Sequence, residues 1–356
     1  MTRTVPTHLP IERTKSARPA EIVANILGTF ALVIIANFLA DGFLNYLTSN
    51  RGYFLVSRKW EILSALKQPV DWLILGDSSC NQGVVPERFS ETLGGTAVNL
   101  CTFGPLLTLD DVWMIEQHIQ RLGSPKQVVI VHVYDIWYRE IEEDTLAHIA
   151  QIPLSSDEME DFEPPLRLNQ EDQIKMILHR YAPLYSSNET LSDWIREPVE
   201  SFRESREFTV TDSGFMPIRQ PKPTHVRRDV RNHLEFVREN TFSISPINRD
   251  AMARIRQLAE QHDFDVYLAS SPIYEGLYAD QAFQRYFNKV QRQLNKFDTQ
   301  SDRIHYVLKE PVTFDADQMR NVDHVIESAA EDYSDRLVNA IQSTRRQTQP
   351  SFTPQL

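Results

Sequence analysis

From Ile22 to Ala40 no residue carries a formal charge. A helix rising 1.5 Å per residue needs about 20 apolar residues to cross the hydrocarbon of a bilayer, so the pattern predicts a membrane span. In the arm before it, Arg3, Arg13, Lys15 and Arg18 outnumber Glu12 and Glu21. The positive-inside preference then keeps residues 1–21 in the cytoplasm and carries the rest across. The run passes into Asp41-Gly42-Phe43-Leu44-Asn45-Tyr46 with no small-residue cleavage pattern, which reads as an uncleaved signal anchor over residues 22–47.

Residues 48–69 read as a stalk built on a helix over 53–67. A clean βα alternation follows. The apolar run Trp72-Leu73-Ile74-Leu75 ends at Gly76-Asp77-Ser78, as a buried parallel strand does where it opens into a loop and helix. Residues 96–101 form a second strand. Val112, Ile115, Ile119 and Leu122 mark one face of a helix that stops at Gly123-Ser124-Pro125. A third strand spans 127–133. The alternation is then interrupted over residues 139–244, where the acidic stretch Ser155–Asp161 and a proline-rich patch, Pro217–Pro223, show no sustained period. Order resumes with a Ser245-capped helix, a fourth strand over 266–269, a fifth over 304–308 and a helix over 325–341. Residues 343–356 read as a disordered polar tail. The expected fold is α/β: a doubly wound, flavodoxin-like parallel five-stranded sheet spanning residues 70–342, with 139–244 inserted and a transmembrane helix before it.

Composition narrows the function. Lysine and arginine total 37 against 49 acidic residues, a net charge of −12, which excludes the basic footprint of a nucleic-acid binder. Two cysteines, Cys80 and Cys101, are too few for a disulfide framework or a closed zinc site, though one bridge fits neighbouring strands. No metal and no cofactor is expected.

Sites in such sheets form beyond the carboxyl ends of the strands. Ser78 sits on the first of these turns, where a helix N-terminus offers backbone N–H groups to a developing oxyanion. Asn99 lies at the end of the second strand and Gly104 just after it, Asp135 follows the third, and His324 precedes the last helix. A histidine there can reach across the strand ends to deprotonate a serine.

Together these blocks resemble the SGNH or GDSL hydrolase superfamily: Gly76-Asp77-Ser78, Asn99-Leu100 with Gly104, and His324 followed by Ala329-Ala330 and Tyr333. The resemblance is nearest to the membrane-anchored branch that includes the alginate O-acetylation and teichoic-acid D-alanylation proteins. It implies Ser78 as nucleophile, His324 as base, and Gly104, Asp77, Asp135 and Asn99 around the oxyanion or substrate. Two positions depart from the family pattern. Val133-Tyr134-Asp135 stands where an oxyanion-binding Asn is usual, and Asn321 stands where an Asp orients the histidine, which leaves Asp323, Asp317 or Asp315 for that task. The expectation is an extracytoplasmic serine O-acyltransferase acting on a cell-envelope polysaccharide, with an integral membrane acyltransferase as a partner and no nucleic acid. A plain carbohydrate or lipid esterase and a non-catalytic binding subunit are the alternatives.

Overall fold

The computed structural model describes residues 19–47, 53–153, 169–186, 188–196, 198 and 209–348. Helix Pro19–Leu47 contains the uncharged run, and its side chains from Pro19 to Ile35 lie exposed. By length and composition it can cross a membrane or serve as a signal sequence. The arm 1–18 and the acidic stretch Ser155–Asp161 fall outside the described residues.

The sheet has five parallel strands: β1 Trp72–Gly76, β2 Ala97–Asn99, β3 Gln127–His132, β4 Asp265–Ser270 and, at the far edge, β6 Ile304–Tyr306. Their spatial order is β2-β1-β3-β4-β6, the doubly wound arrangement that the βα alternation implies. Every residue of β1 is buried, as the apolar run requires of a strand covered on both faces. A second, two-stranded parallel sheet pairs β5 (Ile273–Tyr274) with β7 (Thr313–Phe314). Strands that short carry no periodicity to read.

Gly76 is needed where β1 meets its loop. Its φ is +142°, and a Cβ there would stand 1.9 Å from the Val131 carbonyl oxygen. Only glycine permits so close an approach to β3.

The predicted stalk is instead part of the domain. In helix Tyr53–Ala65, Trp60 and Leu63 are wholly buried, and so is Lys59. The Lys59 ammonium donates to Asn99 O at 2.9 Å, to Asn99 Oδ1 at 3.2 Å and to the Gly214 carbonyl. Burial pushes its pKa well below the usual lysine value. A buried cation is tolerated only when such acceptors replace its water.

The last helix also exceeds expectation. It spans Glu327–Thr348 and absorbs the first residues of the predicted tail; residues 349–356 lie outside the described residues. Ala329 and Ala330 are fully buried, Ser334 Oγ accepts the Val85 N–H at 2.8 Å, and Arg88 grips Asp335 through two bonds of 2.7 and 2.5 Å. These contacts dock the helix on Ser78–Gly83 and Pro86–Leu93, the two helices that follow β1.

Cys80 and Cys101 form a disulfide with their Cα atoms 5.7 Å apart, 21 residues apart in sequence. The bridge ties the Ser78 helix to the loop after β2. Alkylation of unreduced, denatured protein is expected to label neither cysteine, and reduction to destabilise the fold by about 3 kcal/mol, the loop-closure value for a ring of this length. Labelling of both thiols without reductant would disprove the bridge.

Candidate active site

The strand ends converge on Asp77. It is 1% exposed and caps the helix Ser78–Gly83, its Oδ1 accepting the Ser79 N–H at 2.8 Å. Its Oδ2 accepts the Val133 N–H at 2.7 Å and lies 3.2 Å from His132 Nδ1. His132 Nε2 lies 2.6 Å from Asp111 Oδ2. An imidazole flanked on both nitrogens by carboxylates must carry both protons. Burial alone would lower the His132 pKa, but Asp111 and Asp77 outweigh it and raise it to about 10. Burial acts to raise the Asp77 pKa, but His132 and the Val133 N–H outweigh it and hold it below the usual carboxylate value. Asp77 therefore spends its acceptors on the Ser78 helix and on the end of β3.

Ser78 follows at the start of that helix, partly exposed, whereas Ser79 is 1% exposed. Of the two hydroxyls, Ser78 is the accessible one.

His324 reaches the same region from the loop before the last helix. A Cβ on Gly83 would lie 3.7 Å from Val325 Cγ2, which seats that loop on the end of the Ser78 helix. His324 Nδ1 is 2.7 Å from Asn321 Oδ1 and 2.8 Å from Asp323 Oδ1. Both neighbours are acceptors, so Nδ1 bears the proton and Nε2 is left to act as base. Burial opposes the charged ring, yet the Asp323 carboxylate prevails, and Asp77 adds to it, so the His324 pKa is raised. Asp323 is correspondingly held down at about 2 despite its own burial. Asn321 also accepts the His324 backbone N–H at 2.8 Å and shapes the turn. Asp315 caps its own short turn through the Asp317 N–H, and both residues are exposed.

Gly104 heads a 3-10 turn, Gly104–Leu106. A Cβ there would meet Ile136 Cδ1 at 2.9 Å and an Arg139 guanidinium nitrogen at 3.2 Å. Asn248 joins this turn to the one after β3. Its Oδ1 accepts from Thr108 N and Oγ1 at 3.1 and 2.8 Å, and its Nδ2 donates to Ile136 O at 2.8 Å. Asp135 lies three residues beyond the end of β3. It is a carboxylate paired with Arg139 at 2.6 Å, with burial raising its pKa.

Asn99 ends β2. It is wholly buried, donating to Cys80 O at 3.2 Å and Val84 O at 2.8 Å while its Oδ1 accepts from Cys101 N at 3.0 Å and from Lys59. Every one of its hydrogen-bonding groups is committed to the scaffold.

Part of the insertion caps the strand ends. Helix Pro223–Glu239 joins the His324 loop through Lys222 N–H to Met319 O at 3.0 Å, and its His233 bonds the Tyr134 hydroxyl. Sequence reasoning missed His132, Asp111, Arg139 and His233. For His132 and Asp111 the available signal was a histidine ending an apolar strand together with an acidic pair opening a buried helix. Arg139 and His233 sit among other charged residues and had none.

No family model and no curated relative matches the sequence. Among solved structures, the fold is similar to that of a protein from Streptococcus pneumonia described provisionally as a platelet activating factor. The identity is 11% and the TM-score 0.35, over 87% of this chain and 98% of that one. A likeness so distant assigns neither family nor activity.

The buried Asp77–His132–Asp111 chain makes a pH signature. Because the folded His132 pKa is raised, its stabilisation is fully present below about pH 6.5 and is lost as pH climbs towards about 10. His132→Ala, which leaves two buried carboxylates facing each other, is expected to cost about 3–5 kcal/mol at pH 7. Urea titrations across this range check both; a wild-type stability that stays flat to pH 10 would contradict the charge assignment.

Proposed function

We propose that this chain is a membrane-anchored serine acyl-transfer enzyme of the SGNH/GDSL type. In this reading its domain is extracytoplasmic and moves an acyl group, acetyl by resemblance, to or from a cell-envelope polysaccharide. The observation that carries the reading is His324. Its Nδ1 is pinned by two acceptors beside the helix that Asp77 caps and Ser78 opens.

Ser78 Oγ attacks the acyl carbonyl carbon as His324 Nε2 takes its proton. The N–H groups of Ser78 and Gly104 stabilise the tetrahedral oxyanion. Arg139 contributes positive charge beside Gly104, on the side where the family pattern has an Asn. The leaving oxygen departs with the proton from His324. A sugar hydroxyl then gives its proton to the same nitrogen and attacks the acyl-serine, and Ser78 Oγ leaves with that proton returned from His324. Asp323 supplies the carboxylate that stabilises the imidazolium, so Asn321 need only fix the ring and its turn. In this reading helix Pro223–Glu239, seated beside the His324 loop, keeps water from the acyl-serine and so favours transfer over hydrolysis.

Turnover of an activated acetyl ester is expected to fall by about three orders of magnitude or more in Ser78→Ala and to survive in Ser79→Ala. The rate should rise with pH through the raised His324 pKa, since only the neutral ring accepts a proton. Asp323→Asn should move that rise to lower pH and cost about two orders of magnitude in kcat. With an oligosaccharide acceptor, O-acylated sugar is expected to form faster than free acid; free acid alone at saturating acceptor would assign an esterase. Full activity in Ser78→Ala would overturn the mechanism.

A further inference from the structure

Helix Gln170–Tyr181 is built inside out. Ile174, Ile177, Leu178 and Tyr181, spaced i, i+3, i+4 and i+7, are 52%, 58%, 40% and 73% exposed. His179, on the opposite side of the helix, is buried, and Arg180 turns back to donate to Ala150 O at 3.0 Å and Ile152 O at 3.3 Å. A helix packed on a soluble domain normally presents the reverse arrangement. On the adjoining segments Leu184 is 39% and Ile195 73% exposed. Exposed apolar side chains gathered on one helix face in this way mark an interaction site.

What covers it is indicated by the neighbouring span. The Leu184 N–H donates to Asn37 Oδ1 at 3.1 Å, and Trp194 meets Phe43 edge-on with ring centroids 4.6 Å apart. Asn37 lies three residues before Ala40, so this contact falls within about 5 Å of the end of the uncharged run. Trp194 thus packs against helix Pro19–Leu47. Tyr181, Tyr185 and Trp194 are residues of the kind that gather where hydrocarbon gives way to headgroups.

We propose that the exposed face of helix Gln170–Tyr181, with Leu184 and Ile195, lies in the outer surface of the lipid bilayer beside the anchor. The proposal rests on the reading of helix Pro19–Leu47 as a membrane span. Its apolar side chains would sink into the boundary between headgroups and acyl chains, as those of interfacial helices do. Helix Glu143–Ile149 connects this face to the active-site side of the domain, packing on helix Gln170–Tyr181 and on the Gly104 turn, where His148 meets Phe103 at 5.5 Å. Docking would hold that turn at a fixed height above the lipid, suited to an acyl donor arriving from the membrane.

The test uses the full chain reconstituted in phosphatidylcholine vesicles whose acyl chains carry bromine. A fluorophore is attached in turn at Ile177→Cys, Ile195→Cys, Phe38→Cys within the span, and Ala253→Cys on a remote helix. Labels at 177 and 195 are expected to be quenched nearly as strongly as the label at 38, with the label at 253 unaffected. Quenching at 38 but not at 177 or 195 would overturn the docking while leaving the anchor intact, and would point to a protein partner for the face. No quenching at 38 would remove the anchor reading and the docking with it.

Discussion

One buried carboxylate decides where the candidate site stands. Asp77 closes the first turn of the Ser78 helix, takes the Val133 N–H at the end of β3 and faces His132, so the helix after β1 and the end of β3 meet on its two oxygens. Ser78 is its immediate neighbour in the chain. Any change that displaces Asp77 shifts Ser78, the loop after β3 and the field felt by His324 together.

Such a junction is costly unless fully paired, since buried charges without partners destabilise by several kcal/mol. Here the compensation is consecutive: Asp77, His132 and Asp111 alternate in sign, and next to them Asp110 takes hydrogen bonds from Trp60 and Thr102. Burial raises the Asp110 pKa to about 7, so near neutrality this carboxyl takes up a proton and adds less negative charge to the interior. Helix Tyr53–Ala65, which carries Trp60 and Lys59, is therefore part of the electrostatic foundation of the site.

The sheet was largely legible because each long strand is an apolar run closed by turn residues, and buried parallel strands leave that mark directly. Helix Leu109–Leu122 was equally plain from its spacing. What the sequence hid was the use made of polar residues. The helix that carries Lys59 reads as a stalk, yet Lys59, Trp60 and Leu63 are buried in the domain; Asn99 and Asp77 read as substrate ligands, yet their hydrogen bonds serve backbone and scaffold. His132 looks like a packing residue until Asp111 is brought beside it from another element. Asp323 was one of three acidic candidates, and only the geometry of the turn singles it out at Nδ1 of His324.

The central claim, that Ser78 carries the acyl group, is tested most directly by trapping it. Protein mixed with an activated acetyl ester and quenched in acid within the first turnover should gain one acetyl group by intact mass. Peptide mapping should place that group on Ser78, and it should be absent from Ser78→Ala. An acetyl group mapped to another residue, or turnover without any covalent intermediate under these conditions, would contradict the account.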